Sequence, residues 1–176
     1  MINYREQANK YRPGKITTLL IGEAPPPNGK KYFYLPVVLK NGRIIEKDAS
    51  LPATIFHHYF GKRPYSKAEY EIFLNKLKNA GIILVDIIDE PLRIRDRKSK
   101  SGFNDKNLKY LISQIQYLRE KIENLRIDIE EGKIIFLLAR SKYKKELKAE
   151  FPKSQFIRWK DFRMNVNLIH YEIEQE

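Results

Sequence analysis

The chain reads as an α/β protein, a three-layer α/β/α sandwich around a central parallel sheet of about four strands. Three observations predict it. Four short runs, ITTLLIG, IILVDII, KIIFLLA and QFIRW, are rich in apolar and β-branched residues, as suits strands buried on both faces. Stretches with helical apolar spacing separate them, so successive strands are joined by crossovers. Turn and cap residues fall at the joins. The 176 residues fit one domain, residues 1–176, with a sizeable core.

The elements follow in order. Tyr4 to Tyr11 suit a short helix stopped by Pro13-Gly14. Residues 16–22 form the first strand, ended by Gly22. LPATIFHHYF, residues 51–60, reads as a helix closed by Gly61. Ser66 and Glu69 have capping-box spacing: Ser66 accepts from the Glu69 N–H, and the Glu69 side chain returns the bond. The helix they start buries Phe73, Leu74 and Leu77 and closes at Gly81. Ile82 to Ile88 form the second strand, followed by the polar loop PLRIRDRKSKSGFND. Asn104 or Asp105 caps one long helix whose apolar face runs Leu108, Leu111, Ile112, Ile115, Leu118, Ile122, Leu125. Lys133 to Ala139 form strand three, SKYKKELKAEF a further helix, and Gln155 to Trp159 strand four. From Phe162 onward the pattern fits either helix or strand.

Composition narrows the function classes. Hydrophobic residues make up 42%, which excludes a disordered chain. No window reaches the ~18 consecutive apolar residues of a spanning helix, and MINYREQANKYRPGK lacks the apolar stretch of a signal peptide. There are no cysteines, which excludes disulfides, thiolate zinc sites and cysteine nucleophiles. The simplest expectation is a cytoplasmic protein with no cofactor and no membrane contact. Lys and Arg outnumber Asp and Glu 34 to 22, a net charge of +12, and the pI is near 9.7. Such a balance favours a polyanionic partner, nucleic acid first and DNA above all; the alternative is a well-solvated Lys-rich surface. His57 and His58 are neighbours, so on a helix they diverge by about 100°, which suits a structural histidine better than a metal site. Nothing in the pattern points to an oligomeric state.

In open α/β sheets, ligands bind outside the carboxyl ends of the strands. That rule selects the loops 23–34, 89–105, 140–144 and 160–163. The first contains Pro25, Pro26 and Pro27, which lack the N–H groups of a phosphate cradle. The prolines instead stiffen the turn behind Glu23, and Tyr32, Phe33 and Tyr34 offer planar surfaces after it. A fixed carboxylate beside aromatic rings on a basic protein suits a flipped or single-stranded nucleobase. Residue types alone favour a plain structural role over this, with Glu23 capping a backbone N–H and Phe33 in the core. Asp86 lies inside an apolar strand and needs a partner: it either anchors a loop or lines the site. Arg93, Arg95, Arg97, Lys98 and Lys100 form a phosphate-contacting arm or a solvated loop.

The stretch IGEAPPP…YFY resembles the first motif of the uracil-DNA glycosylase superfamily, whose forms include Gly-Gln-Asp-Pro-Tyr and Gly-Glu-Ala-Pro-Gly. Gly22, Glu23, Ala24 and Pro25 match the second form. Phe33 lies where that family has an aromatic ring stacked on uracil. GIILVDIIDEPLR resembles its second strand and GKIIFLLARS its third, so the likeness spans about residues 15–160. It implies a four-stranded parallel sheet between helices and a base flipped out of DNA. It also implies base-excision chemistry, in which a carboxylate stabilises the oxocarbenium-like sugar or orients water. Carried over, Glu23 is the catalytic candidate. Ala24, Pro25, Phe33 and Asp89 bind the base. Lys160 and Arg163 join the basic loop on the nucleic-acid backbone.

The chain also departs from the family pattern. Ala24 stands where the Gly-Gln-Asp-Pro form has its water-activating Asp. The Asn that ends the second strand in active members has no counterpart, Asp86 or Asp89 occupying that region, and a carboxylate is a poor partner for a uracil carbonyl. The family's His-Pro-Ser should fall near Trp159 to Arg163, where the sequence is WKDFR. The expectation is therefore a divergent glycosylase-like protein with weak or no uracil release. The alternatives are a non-catalytic nucleic-acid-binding module on the same fold, and a nucleoside- or nucleotide-processing enzyme. In every case Glu23, Phe33, Asp89 and Lys160 are expected to share one pocket.

Overall fold

The computed structural model describes residues 3–26, 32–36, 50–92, 105–138 and 142–164, with side chains in the fourth segment from residue 108. Its centre is a four-stranded sheet in the order β2-β1-β3-β4. The strands are β1 (Thr18–Gly22), β2 (Ile82–Asp86), β3 (Ile134–Leu138) and β4 (Gln155–Arg158). Every pairing is parallel: Leu20 faces Leu84 and Ile135, and Leu137 faces Ile157. Helices flank the sheet, so the α/β/α architecture is the one the apolar runs predict.

The helices are α1 (Tyr4–Lys10), α2 (Leu51–Phe60), α3 (Lys67–Asn79), α4 (Asp105–Ile115), α5 (Leu118–Asn124), α6 (Lys144–Glu150) and α7 (Trp159–Phe162). Right-handed crossovers put α2 and α3 on one face of the sheet and α4 to α6 on the other. Contacts agree: α4 packs on α6, α3 on β2 and α7 on α2. The core joins Leu19, Leu20 and Ile21 to Ile55, Phe56 and Leu74 on the first side, and to Leu111, Leu118 and Leu147 on the second.

Local chemistry explains most boundaries. Ser50 caps α2 by accepting from the Ala53 N–H, and Gly61 closes it in the left-handed region at φ 68°. Ser66 accepts from the Glu69 N–H at 3.1 Å. The return bond differs from the capping-box expectation, because Glu69 accepts from the Tyr65 N–H at 2.7 Å, not from Ser66. Its other oxygen takes the Lys62 ammonium at 2.6 Å. Gly81 turns the chain into β2 at φ 77°, where a Cβ would lie 2.7 Å from Thr17 Oγ1.

Two expectations are corrected. The long helix over 108–125 is broken into α4 and α5 at Gln116 and Tyr117. There the Tyr117 N–H bonds the Gln114 carbonyl, one residue short of α-helical spacing. The apolar face survives the break, with Leu111, Ile115, Leu118 and Ile122 buried. β2 stops at Asp86 rather than Ile88. Ile87 and Ile88 nonetheless stay tied to the first strand, donating to the Gly22 and Glu23 carbonyls at 3.0 Å each. The ambiguous tail resolves only to Met164: α7 buries Phe162, and residues 165–176 lie outside the described residues.

The free edge of β2 is closed by a tyrosine. Tyr34 Oη donates to the Leu84 carbonyl and accepts from the Leu84 N–H, both at 2.8 Å. Occupying both outward groups of an edge strand prevents further strand addition at that point. Tyr11 stacks on the Tyr34 ring at 5.9 Å, which anchors α1 beside this edge. No helix among the described residues is long and apolar enough to cross a membrane.

Candidate functional site at the carboxyl edge of the sheet

Glu23 and Asp86 stand at the carboxyl ends of adjacent strands. Gly22 pairs with Asp86 in the register of the sheet, and Glu23 is the next residue. Glu23 keeps its backbone in the ladder through the Ile88 N–H, which fixes where its side chain begins. The carboxylate is then held from across the sheet: Tyr143 Oη, just before α6, donates to Glu23 Oε1. Tyr143 is fully buried, so Glu23 is positioned by a side chain that has itself no freedom to leave.

Asp86 is placed differently. Its Oδ1 lies so close to Gly22 that a Cβ there would come within 2.4 Å; a glycine is what allows the carboxyl to sit over the neighbouring strand. Among the described residues nothing hydrogen-bonds this carboxyl group. Its pKa is raised to about 7, by burial first, with Lys121 opposing and Asp89 and Glu23 adding to the rise.

Lys121 spends its ammonium elsewhere. It donates to the main-chain carbonyls of Asp86 and Ile87, and to Asp89 Oδ1 at 2.6 Å. It thus caps the last carbonyls of β2 while leaving the Asp86 side chain without a direct ion pair.

A cavity of about 440 Å³ opens here, between α1, the end of β2 and α5. Tyr4, Arg5, Asp86, Asp89, Tyr117 and Lys121 are among its walls, and Pro25 forms part of its lining from the first loop. A smaller cavity of about 250 Å³ shares Asp89, Tyr117 and Lys121 with it and adds Tyr110 and Gln114. The first volume falls within the roughly 300–1,000 Å³ of small-molecule sites. Tyr4 is fixed on the inner side by its hydroxyl, which donates to the Pro26 carbonyl at 2.8 Å, and by an edge-to-face contact with Tyr32 at 4.8 Å. Tyr117 is half exposed.

The expected four-residue pocket is not what the structure assembles around this cavity. Of Glu23, Phe33, Asp89 and Lys160, only Asp89 lines it. Phe33 is a core residue, 4% exposed. It stacks on Phe56 of α2 at 5.5 Å, and its carbonyl accepts from Tyr70 of α3. Those contacts place it on the face opposite α5, so its ring is turned toward helices and not toward the cavity. Tyr32 and Tyr34 are likewise buried; the aromatic run cements the β2 edge. Asp89 is exposed and engaged by Lys121. Ala24 is half-buried against the core and Pro25 is buried. Lys160 and Arg163 are exposed on α7 and just beyond it, the Lys160 ammonium 5.7 Å from the Trp159 ring. Arg93, Arg95, Arg97, Lys98 and Lys100 lie outside the described residues.

Two side chains that organise the site escape the sequence reading. Lys121 lies three residues after Leu118 and four before Leu125, at the border of the apolar stripe, where a charged residue reads as solvated. Tyr143 is an aromatic in the basic run SKYKKE; its spacing of four from the buried Leu147 is the one signal that it points inward. His58 is the structural histidine that its neighbourhood suggests. It is buried, stacks on Phe162 at 3.8 Å, and its Nδ1–H donates to the Phe162 carbonyl at 2.9 Å. Among the described residues no cluster of three or more His, Asp or Glu is arranged to hold a metal.

No family model, curated protein or solved structure matches this chain. What the site can do therefore rests on its own chemistry: one carboxylate fixed by a phenol, one carboxyl in a cavity wall that no described residue hydrogen-bonds, and a lining in which Arg5 and Lys121 stand among Asp86, Asp89 and Glu120.

Proposed function

We propose that this chain is a divergent uracil-DNA glycosylase-like protein that binds nucleic acid, DNA first, or a nucleobase at the carboxyl edge of its sheet, with a weak capacity for N-glycosidic hydrolysis in base-excision repair. The observation that carries the proposal is the placement of Glu23. The Gly-Glu-Ala-Pro stretch ends a buried parallel strand, and Tyr143 holds its carboxylate at that strand end. In hydrolysis the C1′–N bond breaks with its electron pair leaving on the base, and water adds to C1′. A fixed anion beside the sugar favours the positive charge that develops between those events. The net charge of +12 supplies attraction for a phosphate backbone.

Catalysis is expected to be weak. Trp159–Phe162 form α7 where the resembling family has His-Pro-Ser, and Ala24 stands at the position of the water-activating acid. The loss of one charge-stabilising donor typically costs roughly 10²–10³ in rate. Fluorescence anisotropy on a labelled oligonucleotide at several salt concentrations tests the binding. Affinity should depend little on sequence and fall steeply with salt, by about 0.9 log unit per log unit of salt for each duplex contact. Replacing Arg95, Arg97 and Lys98 with Ala should flatten that slope by roughly two to three units. Uracil release from a uracil-containing strand tests the chemistry, with Glu23→Gln as control. Absence of salt-dependent binding removes the nucleic-acid reading. Robust uracil release that survives Glu23→Gln removes Glu23 from the catalytic role.

A further inference from the structure

We propose that the cavity between α1, the end of β2 and α5 is a base-binding site separate from the Phe33 face, and that Asp86 there reads a base with two adjacent N–H donors, a guanine. The proposal rests on the nucleic-acid partner proposed above for its choice of ligand, but it does not require Glu23 to be catalytic.

The geometry comes first. Asp86 is the carboxyl in the cavity wall that stands at a strand end, and no described residue hydrogen-bonds it, since Lys121 engages Asp89 and two backbone carbonyls instead. The glycine at position 22 leaves room for the carboxyl over the next strand. Tyr4 and Tyr117 supply aromatic surface from two different helices, which suits a flat ring. Arg5 stands at the α1 wall and is exposed, available to a phosphate attached to that ring.

Chemistry then selects the ligand. An ionised carboxylate has acceptors only. Two acceptors side by side complement two donors side by side. Guanine offers its N1–H and its 2-amino group along one edge. Uracil flanks its single N3–H with carbonyl oxygens, and adenine sets its amino group beside acceptor nitrogens, so each places a lone pair against the carboxylate. Guanidinium groups carry the same donor pair. The net charge of +12 favours a nucleotide over an arginine-rich peptide at long range, and in the cavity wall Arg5 and Lys121 are there to meet a phosphate beside Asp86, Asp89 and Glu120. The raised pKa of Asp86 agrees with a carboxyl that no described residue hydrogen-bonds.

The experiment is calorimetric titration at pH 8 with guanosine, adenosine and uridine, on the parent protein, Asp86→Asn and Tyr117→Ala. Guanosine should bind about 10- to 100-fold more tightly than the other two, the discrimination of one good paired contact. Asp86→Asn should erase that preference. Tyr117→Ala, at a half-exposed position that does not threaten folding, should weaken all three while keeping their order. A guanine-containing single strand compared with an all-thymine strand separates the two sources of the base: tighter guanine-strand binding assigns the site to a strand, and guanosine binding without it assigns the site to free nucleosides. Equal binding of the three nucleosides, or a guanosine preference that a folded Asp86→Asn retains, overturns the proposal. Uracil release does not enter this readout, so failure here leaves the glycosylase chemistry to its own test.

Discussion

Replacing Asp86 with Asn should make the protein more stable at pH 8 and leave it nearly unchanged at pH 4. Burial and the nearby Asp89 and Glu23 charges raise the Asp86 carboxyl's pKa from an ordinary 3.8 to about 7. In the unfolded chain Asp86 ionises near 3.8, whereas in the fold it keeps its proton until about pH 7. Between those values the folded state binds more protons, so stability falls as pH rises, by roughly 1.4 kcal/mol per pH unit. Above pH 7 both states are ionised and the loss is constant, with a ceiling of about 4 kcal/mol. Cavity water lowers this, and a gain of about 2–4 kcal/mol for the variant at pH 8 is the expected range. Below pH 3.8 both carboxyls are neutral and the difference vanishes. Urea unfolding from pH 4 to 8 measures it, followed by fluorescence of Trp159, the sole tryptophan. Other titrating groups cancel in the difference between variant and parent. A variant less stable than the parent at pH 8, or a difference that does not change with pH, would refute the account.

Three further outcomes are expected. Tyr143→Phe removes the donor to Glu23 and should cost about 1.5–3 kcal/mol, as for a hydrogen bond to a charged group, read as a lower urea midpoint at unchanged slope; a double-mutant cycle with Glu23→Gln should recover most of it. Gly22→Ala drives a Cβ into Asp86 Oδ1 and should destabilise by about 1–3 kcal/mol, as overpacking does, with much of the loss absent when Asp86 is Ala. His58 has its pKa lowered by burial, so the folded state resists protonation while the unfolded chain takes a proton below the ordinary 6.5. Stability should fall on acidification below that value, and His58→Gln should lack this component in the same pH series.

The sheet is legible in the sequence because strands buried on both faces leave continuous apolar runs, and Leu19 to Ile21 or Phe136 to Leu138 have no polar residue to confuse the pattern. Ser50, Gly61, Ser66 and Gly81 mark helix ends through backbone chemistry that depends on local sequence alone. The break between α4 and α5 is invisible because the apolar spacing continues through it. The site is half legible. The switch-point rule brings attention to Glu23 and to the end of β2. It does not say that Phe33, two residues past Gly29-Lys30-Lys31, turns into the helical layer, nor that Lys121 reaches from a distant helix. Those are tertiary placements. They depend on which face a loop takes when it leaves the strand, and an isolated YFY fits either face.

The two carboxyls at the ends of β1 and β2 carry different physical signatures, which suit the different tasks proposed for them. Glu23 is held by a buried phenol, so its position is settled before any ligand arrives, as suits a group that must act on a reacting atom. No described residue hydrogen-bonds the Asp86 carboxyl group. Relief is close at hand, since the Lys121 ammonium already bonds the Asp86 carbonyl, yet that ammonium turns to Asp89. An ionised carboxylate left in this state destabilises the fold above pH 7. A ligand that donates hydrogen bonds to it returns part of that loss as binding energy. Stability and affinity should then move in opposite directions at this one position: Asp86→Asn should unfold at higher urea and bind guanosine more weakly. A purely structural aspartate, needed to hold the end of β2, would show the reverse sign for stability and no dependence of binding on the substitution.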